Sequence, residues 1–376
     1  MLSRDFHFYY GRPNSALVRR IAAVNRMVPS KGGVYNEVRY PPTILFSLDD
    51  NYNEVSPFNE SFVLNGFKLP DGSLIGKGDS VKCQLTDGSI VTLWKEGAMY
   101  GGDKFDAEAN KDGIEHMNKI FREDISGSFY STQRLMDYYK THVNVKNPYY
   151  YPNSVMFPEY SQFKDYGMIR KDPSRIKVLW QGGSSHYEDW HSIRAAITEA
   201  SKRFPQVDWV IWGAKFNWIL DAIPPDRLTL IPWLPYVSYK LILQVLDFDF
   251  AVAPLTDTKF NAGKSCIKFY EPAALTNPKP TLAASVAPYS DEIVHGETGL
   301  LYRDQDDFVE QFGKLVESAS LRKELATNAN TWLHENRDAM DTAIDLFDWL
   351  VDTRDKAQTS GTNPNLKDLM DLAIGG

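Results

Sequence analysis

The chain has 376 residues, 43% hydrophobic and 24% charged, the composition of an ordinary globular protein with room for two or three domains. It carries 41 Lys and Arg against 49 Asp and Glu; the net charge of −8 argues against broad phosphate-backbone binding while leaving room for a local basic groove. Cys83 and Cys266 stand too far apart to suggest a disulfide framework or a cysteine zinc site, and no apolar run reaches the ~20 residues of a membrane span. With no signal-peptide pattern at the start, the expectation is a cytoplasmic protein.

Residues 4–10 predict a first strand, with Phe6 and Phe8 alternating around His7, and residues 11–15 a turn. Ser15 suits the N-cap of a helix over 16–27. Arg12, Arg19, Arg20, Arg26 and Lys31 gather here, either as a solvated helix face or as a basic surface on the acceptor side. Residues 42–48 predict a buried strand that delivers Asp49 and Asp50 at its carboxyl end. Ligands bind at that end of an open α/β sheet. The alternative is a turn whose carboxylates bond local N–H groups. Over about 61–104, two Asp-Gly-Ser turns between β-prone runs predict a small antiparallel insertion. A helix over 107–121 and a strand over 125–130 follow. A linker rich in Pro, Lys and Asp marks a boundary near 160–172.

The second half alternates strand and helix, as a parallel α/β sheet requires. Strands are predicted over 176–180, 207–213, 228–231, 250–253 and 281–285. Helices are predicted over 189–203, 215–222, 236–246, 306–317, 320–334 and 337–352. After the first of these strands, Gly182, Gly183 and Ser184 form a loop whose backbone N–H groups suit a phosphate. In the same loop, Asp189 suits a cap of the following helix. His186 either bonds nearby backbone or touches substrate.

Past the 250–253 strand, a helix starting near Ser265 would align Lys264, Lys268 and Glu271 on one face. Two cations at a helix start suit a diphosphate, with Ser265 adding a hydroxyl. A carboxylate two turns along suits sugar hydroxyls, which donate to it. Such a trio also occurs on solvated helices, but the flanking apolar strands argue against that here. Pro272 removes a helical N–H and predicts a short or kinked helix.

The Lys264/Lys268/Glu271 block, the apolar return over 281–285 and the Gly-Glu-Thr-Gly-Leu-Leu run over 296–301 resemble the donor half of GT-B glycosyltransferases. The likeness is to retaining family 4, glycosyl transferases group 1, and it is good over roughly 175–335. Residues 47–51 and 130–135, and the Gly182/Gly183/His186/Asp189 spacing, are similar to a divergent phage-like branch. The resemblance implies an α/β GT-B fold: two Rossmann-like domains facing across a cleft, with a small β-hairpin insertion in the first. Its parts would be an acceptor-side domain over 1–165, a nucleotide-sugar-binding domain over 173–335, and helices and tail over 336–376 crossing back to the first domain.

It further implies that Lys264, with His186, serves catalysis and that Glu271 holds the ribose. Lys264 and Lys268 would hold the diphosphate, while Trp233 and Tyr236 lie where relatives hold the base, the alternative for these aromatics being core packing. Arg12, Asp49 and Asp50 fall on the acceptor side. The donor is expected to be a UDP-sugar, with no cofactor and no metal, and the configuration at the sugar is expected to be retained. A modified DNA base or a surface glycan would be the acceptor, the former placing a phage-encoded protein in its host's cytoplasm. The family often carries a glutamate eight residues before Glu271, and Gly263 stands there instead. That departure motivates a rival reading, a non-catalytic sugar-nucleotide or glycan-binding protein on a decayed scaffold.

Overall fold

The computed structural model describes residues 6–10, 43–54, 80–84, 90–94, 107–161, 172, 174–183, 186–213 and 218–359. Arg12 and the basic stretch around it, the predicted helix over 16–27, Ser184 and the tail beyond 359 lie outside them.

Strands β1 (Phe6–Tyr10), β2 (Thr43–Leu48), β5 (Gly127–Tyr130) and β6 (Pro148–Tyr150) form one sheet in that order, all parallel. Between them, β3 (Ser80–Gln84) and β4 (Ile90–Trp94) pair antiparallel as the expected hairpin. A second, six-stranded parallel sheet contains β7 (Ile176–Gly182), β8 (Val207–Gly213), β9 (Leu228–Ile231), β10 (Phe250–Ala253), β11 (Thr281–Ala284) and β12 (Leu300–Tyr302). Its order is β12-β11-β10-β7-β8-β9. Counted from β7, that is the doubly wound order of a dinucleotide-binding fold, with the reversal between β7 and β10.

The sequence accounts for these strands physically. Both faces of a parallel sheet are covered, so its strands read as continuous apolar runs. Phe-Ala-Val-Ala in β10 and Thr-Leu-Ala-Ala in β11 are buried at every position. β9, at the edge, is only partly covered. Phe250, Trp209, Phe308 and Phe312 stack into the core beneath the second sheet, ring centroids 5.2–5.6 Å apart around Phe312. Phe46, Phe121 and Tyr139 do the same for the first.

Several expectations shift. The helix expected over 189–203 divides at Ile193 into Tyr187–Ser192 and Arg194–Arg203. The helix expected to start near Ser265 starts at Ile267 and runs to Ala274, with Pro272 in its last turn; the Lys268 carbonyl that thereby loses its helical donor accepts from the Thr281 hydroxyl at 3.4 Å. A separate short helix, Lys259–Ala262, precedes it. The Gly-Glu-Thr-Gly-Leu-Leu run over 296–301 leads into β12, a three-residue strand too short to show a period. The last helix, Ala339–Thr359, lies against the first sheet, with Leu350 on Leu45 and Trp349 on Phe129.

Candidate functional site

At the reversal point, the carboxyl ends of β7 and β10 diverge and leave a crevice. A cavity of about 500 Å³ opens there, within the range of small-ligand pockets. β7 delivers Gln181 and Gly182 to it, and β8 delivers Trp212 and Gly213. Gly182 and Gly213 stand opposite each other in register. Gly213 has φ +105°, and a Cβ on it would sit 2.3 Å from the Gly182 carbonyl oxygen. Only glycine fits that approach.

The next loop brings His186, whose Nδ1 lies 2.7 Å from Asp189 Oδ2 and whose Nε2 lies 2.9 Å from Lys268 Nζ. A carboxylate only accepts and an ammonium only donates, so the ring carries its proton on Nδ1 and receives one hydrogen bond at Nε2. Burial, and then the neighbouring Lys268, push the imidazole down to about 4, so His186 is neutral near pH 7. Burial and then Lys264 bring the Lys268 ammonium down to about 8. Asp189 does not cap the following helix, as expected, but sits inside the Tyr187–Ser192 helix and is buried. Its Oδ1 accepts from the Thr256 N–H and hydroxyl, each at 2.8 Å, and from Asn261 Nδ2 at 2.9 Å. Burial alone would raise this carboxyl; the His186 and Thr256 hydrogen bonds hold it below its ordinary value. Asp189 thus ties the loop after β7 to the loop after β10 and fixes the His186 ring beneath Lys268.

Glu271, one turn on from Lys268, has its own network. Its Oε2 accepts from Gln181 Nε2 at 2.9 Å and from the Tyr239 hydroxyl, while Lys240 Nζ lies 3.7 Å from Oε1. Burial raises the Glu271 carboxyl, with Lys240 and the Tyr239 hydrogen bond opposing. Tyr239 and Lys240 come from the Tyr236–Val245 helix.

The cavity wall brings together Gly182, Gly183, His186, Trp233, Tyr236, Lys268 and Glu271 from among the predicted residues. Trp233 is 75% exposed and Tyr236 66%, so neither is packed into the core. Lys264 and Ser265 precede the helix instead of sharing its face, and they meet the first sheet. Lys264 Nζ pairs with Asp50 Oδ1 at 3.0 Å and lies 4.3 Å from the centre of the Phe260 ring. Asn153 Nδ2 donates to Ser265 Oγ and to Asp49 Oδ1, each at 2.8 Å. The Thr132 hydroxyl donates to the Gly263 carbonyl at 2.8 Å. Asp50 therefore bonds across to the second half, and Asp49 is linked to it through Asn153, so neither serves only a local turn.

Sequence reasoning passed over Gln181, Tyr239, Lys240, Thr256 and Asn261. Gln181 had a usable signal, a polar side chain directly after the buried apolar run over 178–180. Tyr239 and Lys240 follow Tyr236 by three and four residues, one helical turn further along.

No family model matches the chain, and no curated protein does. Solved structures do resemble it. HepE from Anabaena, in a complex with UDP-glucose, is 11% identical, over 93% of this chain and 79% of that one, with a TM-score of 0.54. S. aureus TarM, solved with fondaparinux, alpha-GlcNAc-glycerol and UDP, is 12% identical over 84% of this chain, with a TM-score of 0.53. Sucrose-phosphate synthase from Thermosynechococcus elongatus is 9% identical over 83% of this chain, with a TM-score of 0.50. The chain spans about half the length of TarM, 52% of it. These neighbours are glycosyltransferases, and the likeness establishes the expected GT-B fold, two Rossmann-like domains. No helix among the described residues is long and apolar enough to cross a membrane, and no group of three or more His, Cys, Asp or Glu there could hold a metal ion.

Proposed function

We propose that the protein transfers a sugar from a nucleoside diphosphate sugar to an acceptor hydroxyl. One observation carries this reading: a half-buried cation, Lys268, and a half-buried carboxylate, Glu271, share one cavity wall at the crossover of a doubly wound sheet, each held by its own hydrogen-bond network. Lys268, with Lys264 beside it, would hold the departing diphosphate, as would backbone N–H groups at Gly182 and Gly183. This is preorganised stabilisation of charge that develops as the glycosidic bond breaks. His186 has no free lone pair while Lys268 donates to it, so it acts as a positioning residue that aims the ammonium. Glu271 offers its carboxylate to ribose hydroxyls, and Trp233 or Tyr236 a face for the base. UDP is the nucleotide we assign, in keeping with the UDP-bound HepE and TarM structures. Retention at the sugar follows from the resemblance to family 4, and we assign no metal to the step. The acceptor hydroxyl would lie toward Asp49 and Asp50 on the first sheet.

Two well-connected charged networks argue against a decayed scaffold, because a buried charge without partners is costly to keep. Thermal stabilisation against a panel of nucleotide sugars tests the reading. A shift with one donor, lost in both Lys264→Ala and Glu271→Ala, is the expected result. No shift with any donor in folded protein would favour the non-catalytic alternative. Donor turnover with hydroxymethylated DNA or glycan acceptors, in the presence of a chelator, then separates the acceptors and checks metal independence.

A further inference from the structure

Lys264 is already occupied. Its ammonium, on a side chain 15% exposed, faces the Asp50 carboxylate at 3.0 Å, and Asp50, itself 37% exposed, comes from the opposite half at the end of β2. The surrounding contacts hold this meeting in place. Asn153 bridges Asp49 to Ser265, and Thr132 bonds the Gly263 carbonyl, so residues 263–265 are seated against the first half at three successive positions. The chain lies close enough there that a Cβ on Gly263 would come within 3.3 Å of Leu135 and 3.5 Å of Asn51. Lys264 and Asp50 are thus presented to each other by two fixed backbones, not by a chance meeting of long side chains.

We propose that Asp50 stands in for the donor's phosphate at Lys264, so that an arriving diphosphate must displace this carboxylate, and that Asp50 thereby sets donor affinity. The inference rests on the reading of Lys264 as a diphosphate ligand given above. Its chemistry is competition between two anions for one ammonium. A carboxylate that accepts from Lys264 in the empty site and loses that partner in the filled one subtracts the strength of the ion pair from binding. For a partly exposed pair that strength is modest, and its removal corresponds to a gain of roughly threefold to tenfold in affinity. The neighbouring charged groups, Lys268 and Asp189, have their own partner in His186 and form no hydrogen bond or ion pair with Asp50.

The test is calorimetric titration of the full chain with inorganic pyrophosphate and, separately, with UDP. Asp50→Asn should tighten both roughly threefold to tenfold, and Asp50→Glu, which restores the carboxylate, should return affinity toward that of the unaltered protein. The decisive arm repeats Asp50→Asn in a Lys264→Met background, where the gain should vanish because the competing pair no longer exists. An equal gain in both backgrounds would mean that Asp50 acts only as a distant negative charge, and that overturns the inference. UDP binding that is unchanged or weaker in Asp50→Asn overturns it too, while leaving the donor site standing. Failure of both probes to bind either the unaltered protein or Asp50→Asn removes the donor-site reading and the inference together.

Discussion

Lys268 shows how one residue's surroundings fix its behaviour. Burial and Lys264 lower its ammonium to about 8, so it is charged below that pH and neutral above it. Diphosphate needs the charged form, so UDP affinity should fall as pH rises through about 8. Lys268→Arg, whose guanidinium does not titrate there, should flatten the fall. Stability moves the other way. Unfolded, the lysine keeps its proton up to its ordinary 10.5, so between about 8 and 10.5 the unfolded state binds more protons and this group's contribution to stability rises with pH. Calorimetric titration and urea unfolding across that range therefore separate the two effects. Binding that stays constant through pH 9 would mean that Lys268 does not carry the phosphate. The type and spacing of Lys268 and Glu271 were legible in sequence. Their partners His186, Gln181 and Tyr239 lie 82, 90 and 32 residues away, and only the folded chain brings them near.

Strands of the second sheet were readable because burial on both faces demands unbroken apolar runs, and β10 and β11 supply them. Helix starts were less so. The turn at 263–266 is set by contacts with the first sheet, which local propensity does not contain, and the helix accordingly begins at Ile267. Two glycines give a test at this scale. Gly213 and Gly296 both have positive φ, +105° and +82°, but a Cβ on Gly213 would meet the Gly182 carbonyl at 2.3 Å, whereas one on Gly296 would meet nothing within 4 Å. Gly296→Ala should cost about 1 kcal/mol of unfolding free energy, the strain of the conformation alone. Gly213→Ala must also part β7 from β8 and should cost roughly 2–3 kcal/mol or more, with loss of UDP binding. Equal urea midpoints for the two variants would show that the ends of β7 and β8 are not held as close as described.

Across the whole molecule, the chain's last described helix stabilises its first sheet. Ala339–Thr359 follows the second half in sequence, yet Trp349 stacks on Tyr149 at 5.0 Å between centroids and meets Phe129 edge-on at 6.2 Å. Trp349 also covers Gly127, where a Cβ would come within 3.0 Å of the indole. Thr353 accepts from Asn147 at 2.5 Å, and Leu350 buries itself against Leu45. None of these residues touches the cavity at the end of β7, so stability and donor binding should come apart here. Trp349→Ala removes an indole that is only partly covered, so it should cost roughly 2–3 kcal/mol, below the 3–5 of a fully buried aromatic. Expressed as melting temperature in a chain of this size, that is a fall of roughly 3–4 °C. UDP affinity at 25 °C should stay within about twofold, because the Lys268 and Glu271 networks draw on β7, β10 and the Tyr236–Val245 helix and not on the first sheet. A melting temperature that does not move would mean the helix is not docked on the first sheet in solution. A fall in UDP affinity alongside it would show instead that the first sheet reaches the donor site through the contacts between the halves, among them Lys264 with Asp50 and Arg134 with Asp291.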